Sequence, residues 1–394
     1  MDAIARPAVL ALRSLSLAYF VQATGALSVV GSLAAIAAQW GLSDAQTALL
    51  ITVFGVTFAL AAPLLQVAFG HLPRRRQVLI GLAVFSSAAL AFAVAPDYRA
   101  LLAARVAMGL GAALIGPVLG ALAAGLVEPR QQGSAIAMVL LGLSMAGLVG
   151  MPLSAWMAQA WGARPLFVAV AAAGLLTALL IRLAVPAQAG GQAISLTTLG
   201  RVLTDAVLLP AYLVVFFIAA GAYTTYAFIA PIIRDVFHGS AHTVSAGMAV
   251  LGMAGVLGNL FVVRAARRYS ADAMLLAGMG LLALDLLLLL APPTLALLFG
   301  MLLLWAFATD IIWPSQQRRI VELSAELRGV ALAVTASFVF AGIAFGSALA
   351  GLLYARYGHH ANLLGSLGLL LLALAFLALS ARRAQMPGWP HAAD

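Results

Sequence analysis

The sequence predicts an all-α membrane protein: twelve transmembrane helices in two pseudo-symmetric six-helix bundles, with both termini cytoplasmic. Three observations predict it. Of 394 residues, 64% are hydrophobic and 8% charged, where soluble domains carry about 25% charged residues. Apolar runs near the ~20 residues needed to cross ~30 Å of hydrocarbon recur twelve times. The second half also echoes the first at a fixed offset.

In chain order the spans fall near 14–38, 46–69, 77–95, 100–126, 134–158, 165–185, 206–230, 243–263, 273–291, 294–316, 329–352 and 362–381. Backbone polar groups find no water in lipid, so each span must be a helix. The first could be misread as a signal peptide, since Arg6 and Arg13 precede an apolar run. That run is too long for such a segment, and similar ones follow it, so it reads as an anchor. Between the sixth and seventh spans lies 186–205, with Gly190, Gly191 and polar residues. It divides a first bundle, 1–185, from a second, 206–394. Residues Ser195–Asp205 suit a short amphipathic surface helix.

The arginines set the orientation. With the N-terminus inside, sixteen arginines lie on the inner side and four on the outer: Arg99, Arg164, Arg234 and Arg356. Arg105 is inside a span. This asymmetry predicts an inner-side cluster at Gly70, Arg74, Arg75 and Arg76, between the second and third spans.

The repeat is clearest from Gly133 to Gly162 and from Gly329 to Gly358, two intervals whose end glycines are 29 positions apart, offset by 196. Within them Ala146, Gly150 and Ser154 map onto Gly342, Gly346 and Ala350. Each trio has spacing i, i+4, i+8, one small-residue stripe on a helix. The stripe is expected at the interface between bundles, where close approach would seal one face. Two related six-span halves are the mark of a secondary transporter.

Composition excludes other classes. The chain has no cysteine, hence no disulfide and no thiolate metal site. Its net charge of +9 comes from arginines, most of them in short loops, which topology explains better than nucleic acid. No nucleophile–base pairing, metal cluster or phosphate loop points to an enzyme. No cofactor and no metal are expected. The lack of lysine and the wealth of alanine and leucine point to a high-GC bacterial genome, hence an inner-membrane, multi-pass protein.

The stretch Gly70-His-Leu-Pro-Arg-Arg-Arg76 resembles the loop signature between the second and third spans of the major facilitator superfamily, although the usual aspartate is missing. Arg105-Val-Ala-Met-Gly-Leu-Gly resembles that family's arginine–glycine motif of the fourth span. Gly142 through Gly150 to Pro152-Leu is similar to its antiporter motif of the fifth span. Gln316-Gln-Arg-Arg-Ile-Val-Glu-Leu is similar to the loop after the tenth span in the arabinose-efflux-permease-like group of the drug:proton antiporter branch. The resemblance implies the family's fold, a central cavity faced by spans one, seven and ten, and efflux.

Three charges lie within spans: Arg105, Asp285 and Asp310. A charge in the bilayer costs at least ~2.5–3.5 kcal/mol on insertion scales. Counting residues places Arg105 about 8 Å and Asp310 about 22 Å from the outer surface, too far apart axially for a direct pair. Asp310, flanked by Trp305, Trp313 and Pro314, is the first candidate to carry a proton. Burial disfavours its charged form, and entry of water or a cation would reverse that. Asp285 is the second candidate; its other reading is a residue that caps or bridges helices. Arg105 reads either as a cavity cation or as an arginine held by backbone carbonyls of the first span. Gln22, Tyr223, Asn259 and Trp305 are candidates to line the cavity, because rings with hydroxyls and amides suit a mixed apolar–polar pocket. Ordinary interhelical bonding is the other reading, and Tyr226 is expected near the outer end.

The expected function is proton-coupled efflux of a small amphipathic compound by a monomer bathed in lipid, with the proton as coupling ion. Proton-coupled uptake of a metabolite such as a sugar or nucleobase stays open, because the first span carries no acid. A receptor or scaffold is the non-transport alternative, although the longest stretch between spans is only about twenty residues.

Overall fold

A computed structural model of the chain describes residues 6–128, 131–187, 195–265, 268–290, 294–324 and 328–385, and among them every regular element is helical. Counted over the described residues, eleven helices are long and apolar enough to cross a membrane. The first half holds α1 (Arg6–Trp40), α2 (Asp44–Phe69), α3 (Arg74–Ala93), α4 (Tyr98–Ala124), the pair α5 (Gln132–Met145) and α6 (Met151–Trp161), and α7 (Ala163–Ala184). A short helix, α8 (Leu196–Thr204), follows. The second half holds α9 (Leu208–Tyr226) continued by α10 (Ile229–Asp235), α11 (Ala241–Ala265), α12 (Ala271–Leu289), α13 (Leu295–Leu323), α14 (Arg328–Tyr357) and α15 (His359–Ala384). Helix α11 is the eighth span, 25 residues long. Inner and outer denote the arginine-rich and arginine-poor ends.

Helix starts follow local chemistry. Ser43 and Gln46 form a reciprocal capping box at the head of α2, and Asp97, Ser195, Ser270 and Thr294 each accept a backbone N–H that would otherwise be orphaned. At inner ends, arginines do the opposite work. Arg74 Nη1 donates to the Ala121 carbonyl at 3.1 Å, in the last turn of α4, and Arg75 Nη2 to the Arg182 carbonyl at 2.6 Å, in the last turn of α7. Those last-turn carbonyls lie at the negative end of the helix dipole, where a cation is favourable, and Ala121 takes the arginine beside the Gly125 cap N–H on its second lone pair. The loop arginines thus tie three helices of the first half together without a carboxylate.

The repeat persists in three dimensions. Gly162 (φ 89°, ψ 171°) joins α6 to α7, and Gly358 (φ 72°, ψ −170°) joins α14 to α15. Both occupy a backbone region open essentially to glycine alone. A side chain on Gly150 would collide with Thr24 of α1, and one on Gly346 with the Ala220 carbonyl of α9. The offset of 196 therefore relates both members of the contact. Elsewhere on the same spans Gly142 meets Ser16 of α1, and Gly342 meets Phe216 of α9. This corrects one expectation: the stripes pack each span against the first helix of its own half, not across the halves. Glycine faces let those backbones approach closely, where lipid offers no hydrophobic drive.

Two further boundaries differ from expectation. The seventh span runs on to Asp235, so Tyr226 sits nine residues from its end, near mid-depth. The tenth continues helical to Leu323, so Gln316–Leu323 is the inner end of α13 and no loop. Gln316 there is buried and donates to the Ala211 carbonyl at 2.9 Å. Between α5 and α6, Ala146–Gly150 forms a π-helical turn ahead of Pro152. Proline lacks the N–H for the carbonyl one turn back, and a wider turn accommodates the gap.

Candidate functional site

The halves meet at α2 against α14 and at α6 against α11. Across the first contact, the hydroxyls of Thr52 and Ser347 lie 2.8 Å apart, and the Phe58 and Phe340 rings have centroids 3.9 Å apart. Across the second, Ser245 Oγ donates to Gln159 at 3.1 Å, and the Gly252 backbone abuts the π turn at Gly147. The hydrogen bonds described between halves lie on the outer side of the molecule. At the outer surface Arg234 of α10 bonds Asp44 of α2 at 2.9 Å and Asp235 at 2.6 Å, and Tyr354 of α14 donates to Asp235 at 2.9 Å.

Beneath this closure lies the candidate site. Asp310 is fifteen residues from the outer end of α13 and thirteen from the inner end, near mid-membrane. Its Cβ lies against the bare backbone of Gly258 on α11, where a side chain would come within 2.7 Å. Tyr226 lies within electrostatic reach of Asp310, and its ring meets the edge of Tyr223 with centroids 5.3 Å apart. Trp305 is buried on α13, five residues nearer the outer end. The structure therefore groups Asp310, Tyr223 and Tyr226, carried by α9 and α13. Gln22 of α1 is buried, and its Oε1 faces the bare Gly116 of α4 with no hydrogen-bond partner among the described residues. A mid-membrane amide acceptor without a partner is a polar contact available to a ligand. Asn259 lies on α11 next to Gly258, but its side chain is outside the described residues.

Arg105 is not part of this group. It is 0% exposed, and its guanidinium donates to the carbonyls of Leu50 (3.1 Å), Gly25 (3.1 Å) and Ala26 (2.9 Å), with Phe54 beneath at 4.5 Å. The expectation of a cavity cation is thereby corrected: Arg105 clasps α1 and α2 within the first half. Helix carbonyls carry a second lone pair, and a five-donor fork can use three of them at once. Asp285 is also separate, in the outer part of α12.

Other polar clusters went unseen in the sequence. Arg319, 4% exposed, pairs with Asp272 and donates to Ser380 at 2.9 Å, fastening α12, α13 and α15 at their inner ends. Asp44, Asp235 and Tyr354 form the outer latch with Arg234. Each was readable only as a loop charge or ring, because its partner is distant in the chain.

The geometry agrees with known proteins. The family described as the Major Facilitator Superfamily matches residues 15–255 and 211–390. The MFS-type transporter YbcL of Bacillus subtilis (strain 168) is 28% identical over 86% of this chain and 87% of its own length. The inner membrane transport protein YdhP of Escherichia coli (strain K12) is 27% identical, with the same coverage. Among solved structures, a bacterial homolog of the human lysosomal transporter Spinster, inward-facing and unoccupied, has a TM-score of 0.73 at 18% identity, covering 96% of this chain and 98% of its own. The human organic anion transporter MFSD10 has a TM-score of 0.70 at 17% identity, covering 95% of this chain and 100% of its own. Two six-span halves related by a fixed offset, a polar group at mid-membrane and these matches lead to one conclusion: the chain belongs to the major facilitator superfamily, and it is a multi-pass membrane transporter, not an enzyme.

Proposed function

We propose that the protein exports a small amphipathic compound across the bacterial inner membrane in exchange for protons, as a monomer. Residues 1–185 and 206–394 rock against each other, joined by 186–205, with the arginine-rich end in the cytoplasm. The observation that carries this reading is Asp310, a carboxylate at mid-depth beside Tyr226. Such a group accepts a proton when the site faces outward, releases it inward, and exchanges with substrate between those steps. Tyr223, Tyr226 and Trp305 supply ring faces and hydroxyls for a ligand with apolar and polar parts. Gln22 supplies an amide from the facing half. The antiporter-like sequence from Gly142 to Pro152 favours export over uptake. The inner-membrane relative YdhP supports the location.

The test uses everted vesicles energised with a proton gradient. A transported compound should collapse the gradient only when the protein is present. Asp310→Asn should abolish that collapse while leaving substrate counterflow intact, because exchange of bound substrate needs no proton step. Unchanged proton-driven transport in Asp310→Asn would falsify the assignment. Accumulation of labelled metabolite in intact cells would replace export by uptake.

A further inference from the structure

A cavity of about 330 Å³ lies near the outer end of the second half, between α9–α10, α12 and α15. Thr225, Ile229, Leu289, His359, His360 and Leu363 are among its walls, and the two imidazole rings have centroids 3.9 Å apart. Most of its walls are apolar, as in an ordinary crevice. Two buried side chains just inward of it argue otherwise.

Asp285 lies one turn inward of Leu289 on the same face of α12. It is 0% exposed, and neither carboxylate oxygen has a hydrogen-bond partner among the described residues. Asn362 lies one turn inward of His359 on α15, next to Leu363. It too is 0% exposed, with both amide atoms unpartnered among the described residues. One turn further along α15, Ser366 shares a hydrogen bond of 2.8 Å with Thr225, which lines the cavity. Helices α12 and α15 pack together. Four residues in from the end of one and three in from the start of the other put Asp285 and Asn362 at nearly equal depth, about 5–6 Å below the ends of their helices. Two adjoining helices thus bury unsatisfied polar groups at one level.

A structural carboxylate would have a donor. An ionised carboxylate without one is far too costly in an apolar interior, so this packing accepts the neutral acid. The charged and titratable groups on the surrounding elements are few. On α12 itself the other one is Asp272, held by Arg319 at the far inner end. The outer half of α13, Leu295 to Trp305, has none. On α9 and α10 they are Tyr212 towards the inner end, Tyr223 and Tyr226, deeper in the membrane than the cavity, and Arg234 and Asp235, engaged in the outer latch. On α15 they are Arg382 and Arg383 at the far inner end, and His359 and His360, which stand at the cavity.

We propose that Asp285 is a second protonation site, exchanging its proton with the outer medium through the cavity walled by His359 and His360, with Asn362 as its hydrogen-bond partner when ionised. The carboxyl proton passes to a neutral imidazole and on to water; the carboxylate left behind takes the Asn362 N–H. This site is separate from Asp310 and stands whether or not Asp310 carries the coupling proton.

Infrared spectroscopy of the purified full chain in liposomes tests it. At neutral pH a carboxylic-acid C=O band should be present in Asp310→Asn and absent from the Asp310→Asn/Asp285→Asn double variant, and Asp285→Asn alone should lose that component of the parent's absorption. Asn362→Leu should shift that band. In deuterium oxide the band's isotope shift should appear several-fold more slowly in the His359→Ala/His360→Ala double variant. If Asp285→Asn does not fold, Asp285→Glu should keep the band at a displaced frequency. Loss of no acid band in Asp285→Asn, or isotope exchange indifferent to both histidines, overturns the proposal. So does a band that sodium ions abolish at constant pH, since that would make Asp285 a metal-cation ligand.

Discussion

The guanidinium of Arg234 and the carboxylate of Asp44 lie 2.9 Å apart, joining the outer end of the second half's first span to the start of α2 in the first half. Arg234 also holds Asp235, which accepts from Tyr354 of α14, so three helices meet at one charge cluster. The pair is partly exposed, at 42% and 22%, and exposed pairs typically contribute 0.2–1 kcal/mol. That is too little to hold the fold but enough to bias two conformations. Asp44→Asn or Arg234→Gln should therefore raise outer-side opening about two- to five-fold. The natural absence of cysteine makes the readout clean: Ser347→Cys, beneath the latch, should react faster with an impermeant maleimide. The charge reversal Asp44→Arg with Arg234→Asp should restore slow labelling.

Glycine contacts within and between halves should respond differently. Gly346 abuts the Ala220 carbonyl inside the second half, and Gly252 abuts the π turn across the halves. Overpacking costs about 1–3 kcal/mol. In Gly346→Val it should appear as a lower thermal midpoint. In Gly252→Ala the midpoint should hold, because the halves can separate, and a reporter at Ser245→Cys should become more reactive. Equal midpoint losses in both would contradict the division into halves.

Arg105 should behave as a fastening, not as a ligand. Arg105→Lys cannot reach carbonyls of two helices at once, and charge-assisted hydrogen bonds contribute about 1.5–3 kcal/mol. Thermal unfolding should show a loss of about 2 kcal/mol or more. Substrate binding by the folded fraction should be unchanged.

Orientation has its own test. His71 is exposed in the turn between α2 and α3, beside the Arg74–Arg76 run. His71→Cys should be protected from impermeant maleimide in intact cells and labelled in everted vesicles. The reverse pattern would invert the topology.

The spans were legible because lipid leaves only one solution for an apolar run of this length. Within the candidate site, legibility was uneven. Asp310 stood out because a carboxylate in a helix core is costly wherever it points. The destiny of Arg105 was only half legible: carbonyls of the first span were an open reading, but which residues faced it depended on how α1, α2 and α4 cross. The small-residue stripe was read correctly as a close contact and assigned to the wrong neighbour, since a stripe specifies the closeness of its partner helix and not that helix's identity. Asn362 drew no notice, because an asparagine three residues into a helix reads as an end group until its burial is seen.

The sequence by itself determined the class, the twelve spans, the pairing of halves at an offset of 196 and the uneven placement of arginine, all consequences of what a bilayer permits along a single chain. Only the tertiary structure decided which helix each stripe meets, that the loop arginines cap α4 and α7, that Arg105 is enclosed, and that Arg234 finds Asp44 across 190 residues of chain. Those outcomes depend on crossing angles and helix rotation, which arise from packing among distant segments and leave no periodic trace in any one of them.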